Sequence, residues 1–195
     1  MEKKVSIYLC ALFLLMVGAV GCSSDDVDEN IVQEAAATEE VKAFFDKDFT
    51  FNYSEEYAYK VAEDPDSYNS EQSWPIAGFF IWDEFLHNLV VVRTINSREE
   101  FEHTYNGKFQ LPDIDFSKNT LIVGLARSND SSETLGRVRL CEATEGNYEL
   151  QVIIDKDVNR EHVFTLASKP LLFWKMYPKF PTNKMTVVRR IDEYD

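Results

Sequence analysis

The pattern of apolar and polar positions starts with an uncharged, mostly apolar run of 16 residues, Val5 to Val20. Lys3 and Lys4 precede it, and the small residues Gly18, Ala19 and Gly21 lead from it to Cys22. A basic start, a short apolar middle and a small-residue end make the layout of a secretory signal. The run is shorter than the roughly 20 residues a spanning helix needs. From Ser23 to about residue 40 the chain is acidic, then alanine-rich. It has little to bury, so an extended tether is expected. The spacing of Val41, Phe44 and Phe45 puts them on one helical face and predicts a short helix over about 31–46.

Residues 52–75, "NYSEEYAYKVAEDPDSYNSEQSWP", are polar, rich in tyrosine and interrupted by Pro65, so they read as loop. "AGFFIWDEFLHNLVVVRTI" follows and is the most apolar part beyond the leader. Leu89 to Val92 within it read as a buried strand. Ser97 and Glu100 form a capping box that opens a helix, with Phe101 and Tyr105 on its inner face. After "LPDIDFSKN" the chain becomes short strands separated by turns: "TLIVGLA", "LGRVRLCEA", "NYELQVII", "EHVFTLAS", "LLFWKMY" and "KMTVVRRI". In the second of these Val138 and Leu140 face one way, with Arg137, Arg139 and Cys141 facing the other. In the third, Tyr148, Leu150, Val152 and Ile154 share a face, after a turn at Glu145-Gly146-Asn147. The prediction is an α+β fold, mostly β: an antiparallel sheet or partly open barrel with one packed helix. Three segments are expected: a signal peptide over 1–21, an acidic tether with a short helix over 22–48, and a single mostly β domain over 49–195.

Charge narrows the range of partners. The chain carries 20 Lys+Arg and 34 Asp+Glu, a net charge of −14. Removing residues 1–21 takes away Lys3, Lys4 and Glu2, which leaves 18 basic and 33 acidic residues and a net charge of −15. Nucleic acid and anionic lipid surfaces both require clustered cations, so neither is an expected partner. Of the three cysteines, Cys10 lies in the leader and Cys22 at its end. Cys141 is then left alone, and the fold must be held by its core rather than by a disulfide.

Ala19-Val20-Gly21-Cys22 resembles the bacterial lipobox. The resemblance implies cleavage before Cys22 and attachment of lipid to it, so the membrane is an expected partner through that residue. Two or more acyl chains hold a protein stably, whereas one does so only marginally. Ser23, Ser24, Asp25, Asp26 and Asp28 resemble the export signal of surface lipoproteins in the Bacteroidota. That resemblance implies an outer-membrane protein facing the cell exterior. From Leu89 to Arg190, a strand, the helix opened by Ser97-Arg98-Glu99-Glu100-Phe101, the turn Pro112-Asp113-Ile114-Asp115-Phe116 and the strand "NTLIVG" resemble the PrcB C-terminal-like domain. The namesake is an accessory subunit of a surface protease complex, so the resemblance implies a binding or assembly role and transfers no catalytic residue.

Read from its residues alone, "LPDIDFSKN" is a structural corner. Pro112 biases Leu111 to extended backbone, Ile114 and Phe116 turn inward, and Asp113, Asp115 and Ser117 hydrogen-bond nearby amides. Other candidate chemistry is sparse. Glu99 and His103 are four apart on the predicted helix, but zinc takes three or four ligands. Asp155, Asp157, Asn159 and Glu161 begin like a calcium loop, which then fails at Arg160 and Leu166. A hairpin turn is the expectation there. Cys141 reads as a small buried hydrophobe rather than a nucleophile. No P-loop, dinucleotide fingerprint or nucleophile elbow is present, and neither catalysis nor a cofactor is expected.

The aromatic residues remain. Phe79, Phe80 and Trp82 form a candidate partner-binding surface with Trp82 as anchor, in balance with a core role. Trp74, Trp174, Tyr53, Tyr57, Tyr59 and Tyr68 are candidates for stacking on sugars, against core packing for the tryptophans and solvated loops for the tyrosines. Two functions are expected as alternatives: a non-enzymatic surface module that binds a protein partner, or a glycan-binding accessory of a polysaccharide-uptake system.

Overall fold

A computed structural model describes residues 30–53, 78, 88–129, 131–159 and 170–194. In chain order these form β1 (Asn30–Ile31), α1 (Glu39–Thr50), β2 (Val90–Ile95), α2 (Arg98–Thr104), β3 (Asn119–Arg127), β4 (Glu133–Thr144), β5 (Asn147–Asp157), β6 (Pro170–Pro178), a 3-10 turn (Thr182–Lys184) and β7 (Met185–Tyr194). The strands make two sheets, ordered β1-β4-β5-β7 and β2-β3-β6. Every pairing is antiparallel except β5 with β7, which is parallel.

The three-stranded sheet is the middle of three layers, which explains why β3 is apolar at almost every position. One face of β3 presents Ile122 and Ala126 to Phe173 and Tyr177 of β6 and to Val138, Leu140, Leu150, Val152 and Ile154 of the four-stranded sheet. The other face presents Leu121, Val123 and Leu125 to Val41, Phe44 and Phe45 of α1 and Phe101 of α2. A strand covered on both sides loses the alternation of a half-exposed one and reads as a continuous hydrophobic run. Gly124 lies opposite Phe173, and a Cβ there would come 2.2 Å from the ring.

Local chemistry fixes where the helices begin. Thr38 Oγ1 accepts from Val41 N at 3.3 Å, with Glu39 and Glu40 in the first turn. That cap starts α1 at Glu39, downstream of the expected start, and its apolar face continues to Asp48. At α2, Ser97 Oγ accepts from Glu100 N at 3.0 Å and the Glu100 carboxylate accepts from Asn96 N, one residue before the cap. Phe101 and Tyr105 are both buried, as their spacing predicts. The corner also has its expected form. Ile114 and Phe116 are buried, Asp115 Oδ1 accepts from Ser117 N at 3.1 Å, and Lys118 pairs with Asp115 at 2.8 Å. Lys118 and Ser117 hold the Asp115 carboxyl down at about 2.

The α+β, mostly β class is as expected, with three differences in detail. Among the described residues two helices pack on the sheet rather than one, the strands divide between two sheets, and β7 joins parallel to β5. Spacing along a strand sets its faces but leaves its neighbour open, and only packing chose the partner of β7. The alternation read in β4 and β5 holds, with Val138, Leu140, Leu150, Val152 and Ile154 in the inter-sheet core. The predicted strand over 161–168 lies outside the described residues.

The segment after β1 passes from one sheet to the other. Val32 N donates to Leu140 O of β4 at 2.8 Å, and Ala35 N donates to Met176 O of β6 at 2.8 Å. These contacts close part of one side of the sandwich. They also place Asn30 beside the turn between β4 and β5, opposite Glu142.

Candidate functional site

Beyond the closing segment, β4 and β6 separate and leave a groove of about 620 Å³. Its walls are consecutive residues of two strands, Leu135 to Arg139 of β4 and Leu172 to Lys175 of β6, with Ile31, Glu34 and Phe49 at one end. A wall made of consecutive residues is a strand edge, because a sheet face would contribute only alternate ones. Among the described residues no strand pairs with β4 on this side before Leu140, or with β6 before Met176. A smaller cavity of about 380 Å³ adjoins the groove, and Arg139 and Tyr177 line part of it. Tyr177 is fully buried, and its hydroxyl has no hydrogen-bond partner among the described residues. Burial first, then the Glu34 carboxylate, pushes that hydroxyl's pKa up.

The rim is basic on a strongly acidic chain. Among the described residues, Arg137, Arg139 and Lys175 line the groove with one acid, Glu34, which pairs with Lys175 at 2.5 Å. Val138 and Leu140 point into the core, so Arg137 and Arg139 lie on the outer face of the four-stranded sheet. There Arg139 Nε donates to Gln151 Oε1 at 2.7 Å, Gln151 Nε2 donates to Glu149 at 2.8 Å, and Arg190 donates to the same carboxylate at 3.0 Å. Arg137 reaches Asp192 at 3.3 Å. Gln151 and Ile153 are buried although they lie on the face turned away from the core.

A second cluster is closed. Asp48, fully buried at the end of α1, accepts through Oδ1 from Tyr53 at 2.5 Å and from Tyr105 at 2.8 Å. The two hydroxyls are 3.3 Å apart. Asp48 Oδ2 has no partner among the described residues. Gly107 leaves room for both rings, since a Cβ there would lie 2.2 Å from Tyr105 Oη and 2.4 Å from Tyr53 Oη. The cluster clamps the C-terminal ends of α1 and α2 together. Burial pushes the Asp48 carboxyl above its ordinary value of 3.8, and the two hydroxyl donors pull the other way. Burial also pushes Tyr53 up to about 12 and Tyr105 higher still.

A carboxyl raised in this way contributes most to stability below its unfolded pKa and loses that contribution as pH rises through the folded one. Asp48→Asn is therefore expected to raise the melting temperature at pH 7, and the gain should vanish as pH falls toward 4. Thermal unfolding of both proteins across that range is the check. A variant less stable at pH 7 than at pH 4, relative to the parent, would contradict this reading.

Several residues singled out in the sequence can now be placed. Cys22, Ser23, Ser24, Asp25, Asp26 and Asp28 lie outside the described residues, as do Phe79, Phe80 and Trp82. Cys141 is buried and in no disulfide among the described residues, opposite Ile31. Glu99 and His103 are exposed on α2. Asn159 N donates to Asp157 Oδ1 at 3.0 Å in a turn, and Glu161 lies outside the described residues. No three His, Cys, Asp or Glu side chains converge among the described residues. Trp174 stacks on Phe45 with ring centroids 4.7 Å apart, so one of its faces is already used. Tyr53 is neither a sugar platform nor a solvated loop residue: Asp48 holds it in the core.

Asp48 gave one signal in the sequence. It falls three and four residues after Phe45 and Phe44, on the apolar face of the helix, where an acid needs a partner. The groove gave none, because it is bounded by backbone edges whose position depends on pairing. The described residues thus form a three-layer, mostly β fold with a groove between its sheets. The chain matches no family model, no curated protein and no solved structure.

Proposed function

We propose that the protein is a lipid-anchored lipoprotein of the outer surface whose folded part is a non-enzymatic module for binding or assembling with a protein partner. The observation that supports this reading is the groove between β4 and β6, where two strand edges and a basic rim meet. Unpaired strand edges are a template for another chain and are normally covered or blunted. The resemblance to the PrcB C-terminal-like domain points to the same kind of role.

The test uses the intact lipidated protein in its own outer membrane. Cross-linking followed by recovery should return one partner in fixed proportion, and protease treatment of whole cells should digest the folded part. Cys22→Ala should abolish both membrane retention and partner recovery at the surface. Retention of Cys22→Ala with membranes after normal cleavage would overturn the anchor. Recovery of no protein in fixed proportion would overturn the assembly role.

A further inference from the structure

We propose that the groove takes an extended segment of the partner protein as an added strand on the edge of β4, and that this segment alternates apolar and acidic side chains. The inference rests on the protein-binding role above and specifies its mode and chemistry.

The geometry starts at β1. Its two residues pair with Glu142 and Cys141, and Val32 continues the line to Leu140. There the chain turns away to β6, so on the side opposite β5 no strand lies beside residues 133–138 of β4 among the described residues. Within a strand the N–H and C=O of one residue point to the same side, and successive residues alternate. Leu140 O meets Val32, so the Val138 N–H and C=O point into the groove. An incoming segment would therefore find donors and acceptors already in line with β1. Affinity from main-chain pairing and specificity from alternate side chains are the features of strand addition.

The alternation follows from the faces of β4. A strand added beside it has one face continuous with Val138 and Leu140, over the inter-sheet core, where Leu172 and Phe173 line the opposite wall. Apolar side chains suit that face. Its other face is continuous with Arg137 and Arg139. Opposite charges directly across a strand pair attract and like charges repel, so acidic side chains suit that face. Lys175 adds a third cation on the β6 side. On a chain of net charge −14, such a cationic rim is a local reversal of charge that favours an acidic ligand. The bulge between Leu135 and Val138 marks the far end of the regular edge. There Gly136 lies against Asp155, whose carboxylate a Cβ would meet at 2.2 Å.

The probes are end-blocked synthetic peptides of about eight residues, enough to span the edge at roughly 3.3 Å per residue. One alternates valine with glutamate and one valine with lysine. A third repeats the first with its central amides N-methylated. The protein is the full mature chain with its tether. The glutamate peptide should bind at least about tenfold tighter than the lysine peptide. It should protect the groove-facing amide of Val138 from hydrogen exchange, and N-methylation should abolish both effects. Arg137→Glu combined with Arg139→Glu should invert the preference. If that double variant does not fold, Lys175→Glu should still weaken the glutamate peptide selectively.

Equal binding of both charged peptides, tolerance of N-methylation, or protection elsewhere would overturn the inference. So would edge amides already fully protected in the free protein, because the chain itself would then fill the groove. A native partner recovered equally well by the Arg137→Glu, Arg139→Glu protein would refute strand addition and leave the assembly role standing. Selective peptide binding without a native partner would do the reverse.

Discussion

Phe45→Ala is expected to cost about 3–5 kcal/mol of stability, the usual loss when a fully buried aromatic is truncated to alanine. Phe45 is completely inaccessible. Its ring stacks on Trp174 at 4.7 Å and on Phe101 at 6.4 Å, and meets Phe44 and Phe49 edge-on at 5.0 and 5.6 Å. It is therefore the point where α1 joins both β6 and α2. Pairs of this kind add to the area buried, and a rigid aromatic cluster collapses poorly around a void. Equilibrium urea unfolding gives the loss directly. Phe49→Ala serves as the control, since Phe49 is only partly buried, and it should cost clearly less. A loss below about 1 kcal/mol for Phe45→Ala would mean that α1 contributes little to the folded unit. The result bears on the groove as well, because Phe49 closes one end of it.

Arg189→Met should have an effect of similar size, about 3–5 kcal/mol, from a different cause. Arg189 of β7 donates to Glu133 Oε2 at 3.0 Å, and both side chains are almost fully buried. Glu133 also accepts from Asn129 N at 2.8 Å and from Asn129 Nδ2 at 3.2 Å. Arg189 Nη2 reaches Arg127 O at 3.4 Å. One ion pair thus ties the start of β4, the end of β3 and β7. Removing the arginine leaves a buried carboxylate with neutral donors only, and the loss is mainly the penalty for that orphaned charge. Arg189→Met combined with Glu133→Gln removes the orphan and should recover part of the loss. The recovery is incomplete because Arg127 O also loses its donor. A double variant as unstable as the sum of the two singles would show that the residues act independently.

Local sequence chemistry determined much of this architecture. The capping box at Ser97 and Glu100, the corner at Pro112 to Phe116, and the two-residue alternation of β4 and β5 all appear where their residues predict them. Each depends on interactions within a few positions of the chain. "TLIVGLA" was also legible as a strand, though not as one buried on both faces at the centre of three layers, whereas Leu89–Val92, which reads as buried, has Leu89 exposed and only Val91 fully covered. The leader, Cys22 and the acidic segment after it remain expectations, and cell fractionation and surface proteolysis will decide them.

Only the tertiary structure decided which strand edges meet. β7 could have extended either sheet by its pattern, and packing placed it parallel to β5 through a connection that begins in the other sheet. The place of Asp48 on the apolar face of α1 follows from its spacing, but its partners Tyr53 and Tyr105 were decided only when the fold brought them against it. The groove depends on the same long-range choices. Its walls are backbone that any sequence carries, and its position was set when β1 stopped after two residues and the chain crossed to β6. Periodicity reports which side chains share a face, because that is fixed by the geometry of one strand. It does not report which backbone is left unpaired, because that is fixed by every other strand.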